Sequence, residues 1–157
     1  YGMKFIQIEN ANEMQKVVLK NCKKADYIFM TAAISDYRIK NINEHKIKKS
    51  NDNIKIDLVK NPDILKSIIN KTKSKIIAFA LETENGKVNA LKKLKHKNAD
   101  FIVLNYANEK GSGFESDSNR VTIFSKNKKF IHLKKNRKDR ISNQLINFIL
   151  KNETHSG

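Results

Sequence analysis

The order of apolar segments predicts an α/β fold whose sheet is mostly parallel and ends in antiparallel strands. Two observations predict it. Three continuous apolar runs, Tyr27–Ala33, Ile76–Leu81 and Phe101–Asn105, are typical of strands buried on both faces, and helix-like segments separate them. Beyond these runs, Val121–Phe124 and Phe130–Leu133 flank a polar turn, which predicts an antiparallel hairpin.

The start of the chain predicts a right-handed strand–helix–strand unit. Lys4–Ile8 alternates apolar and polar residues as a strand does. Asn10 and Glu13 have the spacing of a capping box, so we expect a helix over Ala11–Lys24, where apolar residues recur at helical spacing. The strand Tyr27–Ala33 would then complete the unit.

The remaining elements continue this alternation. A short alternating strand is expected at Ile54–Val59. Pro62 and Asp63 are residue types favoured in the first turn of a helix, so a helix is expected to begin there. A lysine-rich helix over Gly86–Lys97 and a closing helix with an apolar face at Ile141–Ile149 complete the prediction.

The composition indicates one domain of residues 1–157 with a formal charge of +16. Such a charge suggests an anionic partner, which could be nucleic acid, a membrane surface or a phosphorylated small molecule. Lysine and asparagine are abundant in every segment, however, and no basic patch with interleaved aromatic residues is visible. We therefore interpret the charge as a compositional bias and expect no nucleic-acid partner.

Cysteine content and hydropathy predict a cytoplasmic protein. Cys22 is the only cysteine, so an intrachain disulfide is impossible, which suits a reducing compartment. No apolar stretch approaches the ~20 residues of a membrane span, and the start of the chain lacks the regions of a secretory signal. No membrane partner is expected.

Polar residues at the carboxyl ends of the predicted strands indicate a ligand site, because ligands of open α/β sheets bind there. Asp36 follows the first apolar run, Glu82 follows the second, and Asn105 ends the third. The helix start after Asn61 would suit a phosphate or carbonyl oxygen. Asp36 could equally be a turn residue or a helix cap.

Lysines could give this site a preference for anionic ligands. Lys46, Lys48 and Lys49 form a basic cluster after the first strand, and Lys93 and Lys97 lie one turn apart on a predicted helix. The alternatives are a solvated loop and an exposed helix face. The four histidines have no metal-ligand spacing, so the residues alone leave the metal ligands unknown.

Six motifs in order add a resemblance to a known family. They are AAISDYR (32–38), KIKK (46–49), NPDIL (61–65), FALETEN (79–85), KNADFIVLN (97–105) and GF.SD.N (113–119). The chain closely resembles, over essentially its whole length, the phosphopantothenoylcysteine synthetase domain of coenzyme A biosynthesis. The resemblance implies a Rossmann-like three-layer sandwich and, in bacteria, frequent fusion to a flavin-dependent decarboxylase.

The activity that the resemblance implies is a CTP-dependent ligation of 4′-phosphopantothenate to L-cysteine. The substrate carboxylate attacks CTP, forms an acyl-cytidylate and releases pyrophosphate. The cysteine amine then attacks the acyl carbon, which releases CMP and gives 4′-phosphopantothenoylcysteine. A lysine and Mg²⁺ would neutralise the charge that develops when a carboxylate attacks a phosphate. The resemblance to the bacterial type implies CTP instead of ATP as the nucleotide.

The resemblance also assigns site residues. Lys46 would be the catalytic lysine and would reach the triphosphate from a flap over about residues 36–52. A closed flap would keep water from the acyl-cytidylate. The implied nucleotide-binding residues are Met30, Thr31, Ala32, Asp36, Lys46, Asn61, Pro62, Asp63, Ile64, Phe79, Lys93 and Lys97.

One part of the family pattern has no match in this sequence, namely a preceding strand and helix with an SN.SSG.MG-type loop that holds phosphopantothenate. We therefore expect an N-terminally truncated synthetase domain that retains the nucleotide half of the site and forms a homodimer, as the family does. Two other classes stay open. A basic nucleic-acid-binding module would bind in a salt-dependent way without regard to base identity, and a non-catalytic α/β interaction domain would not bind CTP.

Overall fold

The computed structural model describes residues 2–43, 45–46, 53–107 and 116–153, and its central feature is a five-stranded mixed sheet. The strands are β1 (Tyr27–Met30), β2 (Tyr37–Ile39), β3 (Leu58–Lys60), β4 (Lys75–Glu82), β5 (Phe101–Tyr106), β6 (Ser118–Ser125) and β7 (Phe130–Arg137). The helices are α1 (Ala11–Asn21), α2 (Ile64–Ile68), α3 (Gly86–His96) and α4 (Lys138–Glu153), with a 3₁₀ turn at Cys22–Lys24.

The large sheet has the strand order β1-β4-β5-β6-β7. β1 pairs in parallel with β4, and β4 with β5, whereas the β5–β6 and β6–β7 pairs are antiparallel. The predicted hairpin and the antiparallel end of the sheet are therefore confirmed. Because β6 runs opposite to its neighbours, its first residues lie at the same edge of the sheet as the last residues of β4, β5 and β7.

Helices cover both faces of this sheet and make three layers. Ile76 and Ile102 belong to a core shared with α2 and α3. Ile77 and Val103 belong to a second core on the opposite face, where Leu145 of α4 packs. Successive residues of β4 and β5 therefore alternate between the two cores, as the pleat of a strand requires. The predicted three-layer sandwich is confirmed.

Capping interactions explain where the first two helices begin. The Asn10 side chain accepts a hydrogen bond from the Glu13 N–H at 3.0 Å, and the Glu13 carboxylate accepts from the Asn10 amide and the Glu9 N–H, each at 2.8 Å. Asp63 caps α2 by accepting from the Lys66 N–H at 3.1 Å. The start of α1 agrees with the prediction, whereas α2 begins at Ile64, so Asp63 is its N-cap and Pro62 precedes the helix instead of lying in its first turn. In the part of the chain that the structure describes, no helix combines the length and apolarity of a membrane span.

Two predictions for the start of the chain are wrong. Lys4–Ile8 forms no strand, because no described strand pairs with it, and Phe5 is 86% exposed. The predicted strand–helix–strand unit around α1 is therefore not formed within the described residues. β1 ends at Met30 instead of Ala33, and Phe29 is 42% exposed because β1 is an edge strand of the described sheet.

A separate two-stranded ribbon was not predicted as such. β2 and β3 pair antiparallel, with Tyr37 opposite Lys60 and Ile39 opposite Leu58. The strand predicted at Ile54–Val59 is found at Leu58–Lys60, since these are the residues that form hydrogen-bonded pairs with β2. The predicted flap at about 36–52 therefore begins with a strand, and its residues 44 and 47–52 lie outside the described part of the chain.

Candidate functional site

A cavity of about 1080 Å³ opens at the edge of the sheet where β1, β4 and β5 end. Its lining comes from the segment after β1, the start of α2, the end of β4, the outer face of α3 and the first residues of β6 and α4. This is the location at which open α/β sheets bind ligands. The volume is at the upper end of the range of small-molecule sites.

The cavity exists because β1 leaves the sheet early. β1 pairs with β4 only as far as Met30 opposite Ala78, whereas β4 continues beside β5 to Glu82. The next β4 carbonyl, that of Phe79, accepts a hydrogen bond of 2.8 Å from Lys93 Nζ on α3. The ammonium group of Lys93 is thereby held beside the part of β4 that extends past the end of β1.

The environment of Lys93 is suited to an anionic ligand. Burial lowers the pKa of the Lys93 ammonium below its ordinary value, and the nearby Lys97 charge lowers it further, while Glu82 and Asp36 oppose this change. The group is thus a partly desolvated cation beside a second cation. A phosphate bound here would relieve both the burial penalty and the repulsion.

Lys97 is paired in the described structure. Its Nζ donates a hydrogen bond to the Asp63 carboxylate, with which it forms an ion pair. Burial alone would raise the pKa of Asp63, but the hydrogen bonds from Lys97 and from the Lys66 N–H, together with both lysine charges, lower it below its ordinary value. Asp63 is therefore a stable carboxylate that fixes the α3 lysine against the start of α2.

The opposite wall of the cavity is fixed by Asn61. Its Nδ2 donates to the Ser35 carbonyl at 2.8 Å, and its backbone N–H donates to the Asp36 carbonyl at 2.8 Å. Arg38 Nη1 donates to the Lys60 carbonyl at 2.7 Å. These bonds tie the segment after β1 to the segment before α2, so the polar backbone between them faces the cavity in a defined arrangement.

Eleven of the twelve predicted nucleotide-binding residues line this one cavity. They are Met30, Thr31, Ala32, Asp36, Asn61, Pro62, Asp63, Ile64, Phe79, Lys93 and Lys97. Lys46, the predicted catalytic residue, is exposed and is not among the described lining residues. The structure thus brings the predicted residues together except for the lysine of the flap, while their individual roles stay predictions.

The lining also includes residues that were not among the predicted site residues, among them Lys92, His96, Asn119 and Lys138. His96 follows Lys93 by three residues and Lys92 by four, so the helix period offered a signal for the two on α3. Asn119 ends the GF.SD.N motif, which was recognised without a role for this side chain. No local signal marks Lys138, because only the sheet topology brings the start of α4 to this edge.

The acidic residues allow a limited test for the predicted Mg²⁺. Among the residues described, no group of three or more histidine, cysteine or acidic side chains is placed to hold a metal ion. Mg²⁺ in nucleotide enzymes usually takes one or two carboxylates and completes its octahedron with phosphates and water. Asp36, an exposed carboxylate at the cavity, fits this role, whereas Asp63 already carries the Lys97 ion pair.

Comparison with known proteins adds a family to this geometry. Residues 1–152 match the family model described as the DNA/pantothenate metabolism flavoprotein C-terminal domain. The chain is 39% identical over 123 residues to the coenzyme A biosynthesis bifunctional protein CoaBC of Bacillus subtilis, covering 78% of this chain. It is 41% identical over 129 residues to the CoaBC protein of Borreliella burgdorferi, covering 80% of this chain.

A solved structure extends the likeness to the fold. The crystal structure of the C-terminal domain of a CoaBC protein matches with a TM-score of 0.73 and 31% identity, covering 92% of this chain and 63% of that one. The matched region spans only 30% of the Bacillus protein and 32% of the Borreliella protein. The chain thus corresponds to one part of these longer proteins.

Proposed function

This chain belongs to the family of the DNA/pantothenate metabolism flavoprotein C-terminal domain, and on that premise we propose that it is a phosphopantothenate–cysteine ligase domain that uses CTP. The observation that carries the proposal is the convergence of eleven predicted nucleotide-binding residues on one cavity at the carboxyl edge of the sheet. The similar proteins are named for coenzyme A biosynthesis, and the reaction fits that name.

The proposed chemistry begins with attack of the 4′-phosphopantothenate carboxylate on the α-phosphorus of CTP. One carboxylate oxygen bonds to phosphorus while the bond to the bridging oxygen breaks, and pyrophosphate leaves. The cysteine amine then attacks the acyl carbon, CMP leaves, and the amine loses a proton. Neither proposed step forms a covalent intermediate with the enzyme. The rate enhancement must therefore come from positioning the reactants and neutralising their charge.

The residues have distinct proposed tasks in this reaction. Lys93 and Lys97 bind phosphate oxygens, since one is a desolvated cation and the other is held at the start of α2 by Asp63. Asp36 would hold Mg²⁺, which when bound shields the phosphates from the incoming carboxylate. Lys46 would add a further positive charge at the triphosphate from the flap.

The wider setting is also part of the proposal. We place the reaction in the cytoplasm, expect a homodimer, and expect a flavin-dependent decarboxylase to be fused to or associated with this domain, since the similar curated proteins are bifunctional. In this view the chain contributes the nucleotide-binding side of a synthetase site, and it binds CTP whether or not it completes the ligation alone.

The test is calorimetric titration of the chain with CTP and with ATP in the presence of Mg²⁺. We expect saturable binding that is tighter for CTP, and a Kd about tenfold or more higher for Lys46→Ala, because a lost charge-assisted hydrogen bond costs roughly 1.5–3 kcal/mol. Lys16→Ala, an exposed lysine on α1, is the matched control and should bind as the parent does.

Two results would contradict the proposal. Absence of CTP binding would favour a non-catalytic interaction domain. Binding that is the same for all nucleotides, that extends to oligonucleotides and that falls steeply with salt would favour the nucleic-acid module suggested by the +16 charge.

A further inference from the structure

A pair of asparagines lies in the part of the cavity farthest from β1. Asn119 Nδ2 donates a hydrogen bond of 2.8 Å to Asn105 Oδ1, and both side chains are half-buried and line the cavity. Asn105 ends the buried part of β5, and Asn119 lies in β6 beside a register irregularity between Asn119 and Val121. Two amides meeting at a ligand cavity need a chemical explanation, because each has more donors and acceptors than the pair itself uses.

The hydrogen bonds fix the orientation of both amides. Asn119 Oδ1 accepts a hydrogen bond from the Arg120 N–H at 2.9 Å, so the amide nitrogen of Asn119 is the group turned toward Asn105. Asn105 must then present its oxygen to Asn119 and its Nδ2 elsewhere. No described residue accepts a hydrogen bond from Asn105 Nδ2, and the side chain borders the cavity. Asn105 thus offers an oriented N–H donor to a ligand.

The pair and the lysines lie on different layers. Asn105 has the same strand face as Phe101 and Val103, which pack in the core under α4, whereas Lys93 and Lys97 project from α3 on the other face. Lys93 contacts the Phe79 carbonyl of β4, and Asn105 lies on the neighbouring strand β5. A ligand that contacts both places therefore meets two chemically different environments.

The charges divide in the same way. The α3 layer contributes the cations Lys92, Lys93 and Lys97 to the cavity, while the α4 layer contributes two neutral amides and, among the described residues, the single lysine Lys138. An ammonium group binds phosphate more strongly than a neutral amide does, because it adds the attraction between opposite charges. The neutral amide is suited to an uncharged carbonyl oxygen or ring nitrogen.

We infer that Asn105 donates a hydrogen bond from Nδ2 to an uncharged acceptor of the bound ligand, and that Asn119 is a positioning residue that holds the Asn105 amide in this orientation. In a nucleotide that acceptor is on the base or on the ribose, and Asn105 contributes to base selectivity when it is on the base. The amide carbonyl of the acyl substrate offers the same chemistry. The inference rests on the proposed function, because it assumes that the cavity binds these ligands.

The experiment compares CTP with inorganic tripolyphosphate, which carries the charge of the nucleotide without its base. Calorimetric titrations with Mg²⁺ are made on the parent chain, Asn105→Ala, Asn119→Ala and the double variant. We expect Asn105→Ala to raise the Kd for CTP about three- to tenfold and to leave the Kd for tripolyphosphate unchanged. Asn119→Ala should have a smaller effect in the same direction.

The double variant tests the positioning role. If Asn119 acts only through Asn105, the double variant should bind CTP as weakly as Asn105→Ala alone, because the effects of coupled residues do not add. General damage to the cavity would instead weaken CTP and tripolyphosphate together. A titration with 4′-phosphopantothenate shows whether the acceptor belongs to the nucleotide or to the acyl substrate. If Asn105→Ala weakens binding of 4′-phosphopantothenate but not of CTP, the acceptor is on the acyl substrate.

A measurement on the parent chain alone does not depend on whether a variant folds. The Asn105 side-chain amide signals of ¹⁵N-labelled protein should shift on addition of CTP or 4′-phosphopantothenate and should stay in place on addition of tripolyphosphate. If the parent binds CTP while Asn105→Ala binds both ligands unchanged, this inference is overturned and the proposed function stands. If the parent binds none of the three, the proposed function fails, and this inference fails with it.

Discussion

Strand β4 has two unlike neighbours. It pairs with β5 at six positions, from Ile77 to Glu82, but with β1 at only four, ending at Ala78. On the β5 side the strands are buried on both faces, and Ile102 and Ile77 have no exposed surface. On the β1 side Phe29 is 42% exposed, and the chain turns away to line the cavity.

This difference separates stability from binding. The β4–β5 centre removes large apolar side chains from water, which stabilises the folded chain. The β1 margin buries less, but its early end exposes the β4 carbonyl that holds Lys93. Substitutions at the centre should therefore change stability, and substitutions at the margin should change ligand binding.

The largest effect is expected for Ile102→Ala at the centre. Removing a side chain with no exposed surface leaves a cavity between β5 and α3, so the free energy of unfolding should fall by roughly 2–5 kcal/mol. Urea denaturation followed by circular dichroism measures it. Phe29→Ala is the control at the margin, and an equal loss there would refute the comparison.

An intermediate effect is expected for Lys93→Met. The substitution removes a charge whose burial is unfavourable but keeps the length of the side chain, so the unfolding free energy should change by less than about 1 kcal/mol. The Kd for CTP should rise about tenfold, because a charge-assisted hydrogen bond to phosphate is lost.

Calorimetry and denaturation on the same preparation separate these two quantities. Lys87→Met, an exposed lysine of α3 that does not line the cavity, is the matched control. A variant of Lys93 that loses stability without losing affinity would place Lys93 among the structural residues.

The sequence predicted the centre better than the margin, for a physical reason. IIAFAL and FIVLN are surrounded on both sides by partners within the chain, so an apolar run became a buried strand, as expected. YIFMTAA is a similar apolar run and Lys4–Ile8 alternates as a strand does, but burial depends on a neighbouring strand that neither pattern contains. The same limit applies to Lys138, which reaches the cavity only through the topology of the hairpin and α4.

The site itself was predicted through motifs rather than periodicity. Short motifs at several strand ends and helix starts are separate in sequence, and the parallel topology brings them to one edge. Side chains that act through each other are harder to recognise. The Asn105–Asn119 bond joins two motifs, and the Lys97–Asp63 ion pair joins two helices, so neither was visible from one segment alone.

The smallest effect is expected for the ion pair at the margin, tested with Asp63→Asn. Asparagine keeps the N-cap of α2 and removes the charge that pairs with Lys97, so the unfolding free energy at pH 7 should fall by about 0.5–1 kcal/mol. The pKa of Asp63 lies below its ordinary value of 3.8 in the folded chain. The stabilisation is therefore complete well above pH 3.8 and is lost as the pH falls through the folded pKa.

Denaturation curves of the parent and Asp63→Asn should accordingly differ at pH 7 and converge in acid, as the pH falls below 3.8 and through the folded pKa of Asp63. Asp63→Ala removes the cap as well and should be weaker by about a further 1 kcal/mol at every pH. If the difference between the parent and Asp63→Asn stayed constant as the pH falls from 7 to the onset of acid unfolding, the carboxylate charge would contribute nothing, and Lys97 would be held by packing alone. Its ammonium would then be free for phosphate at no cost, and Asp63→Asn should bind CTP no more weakly than the parent.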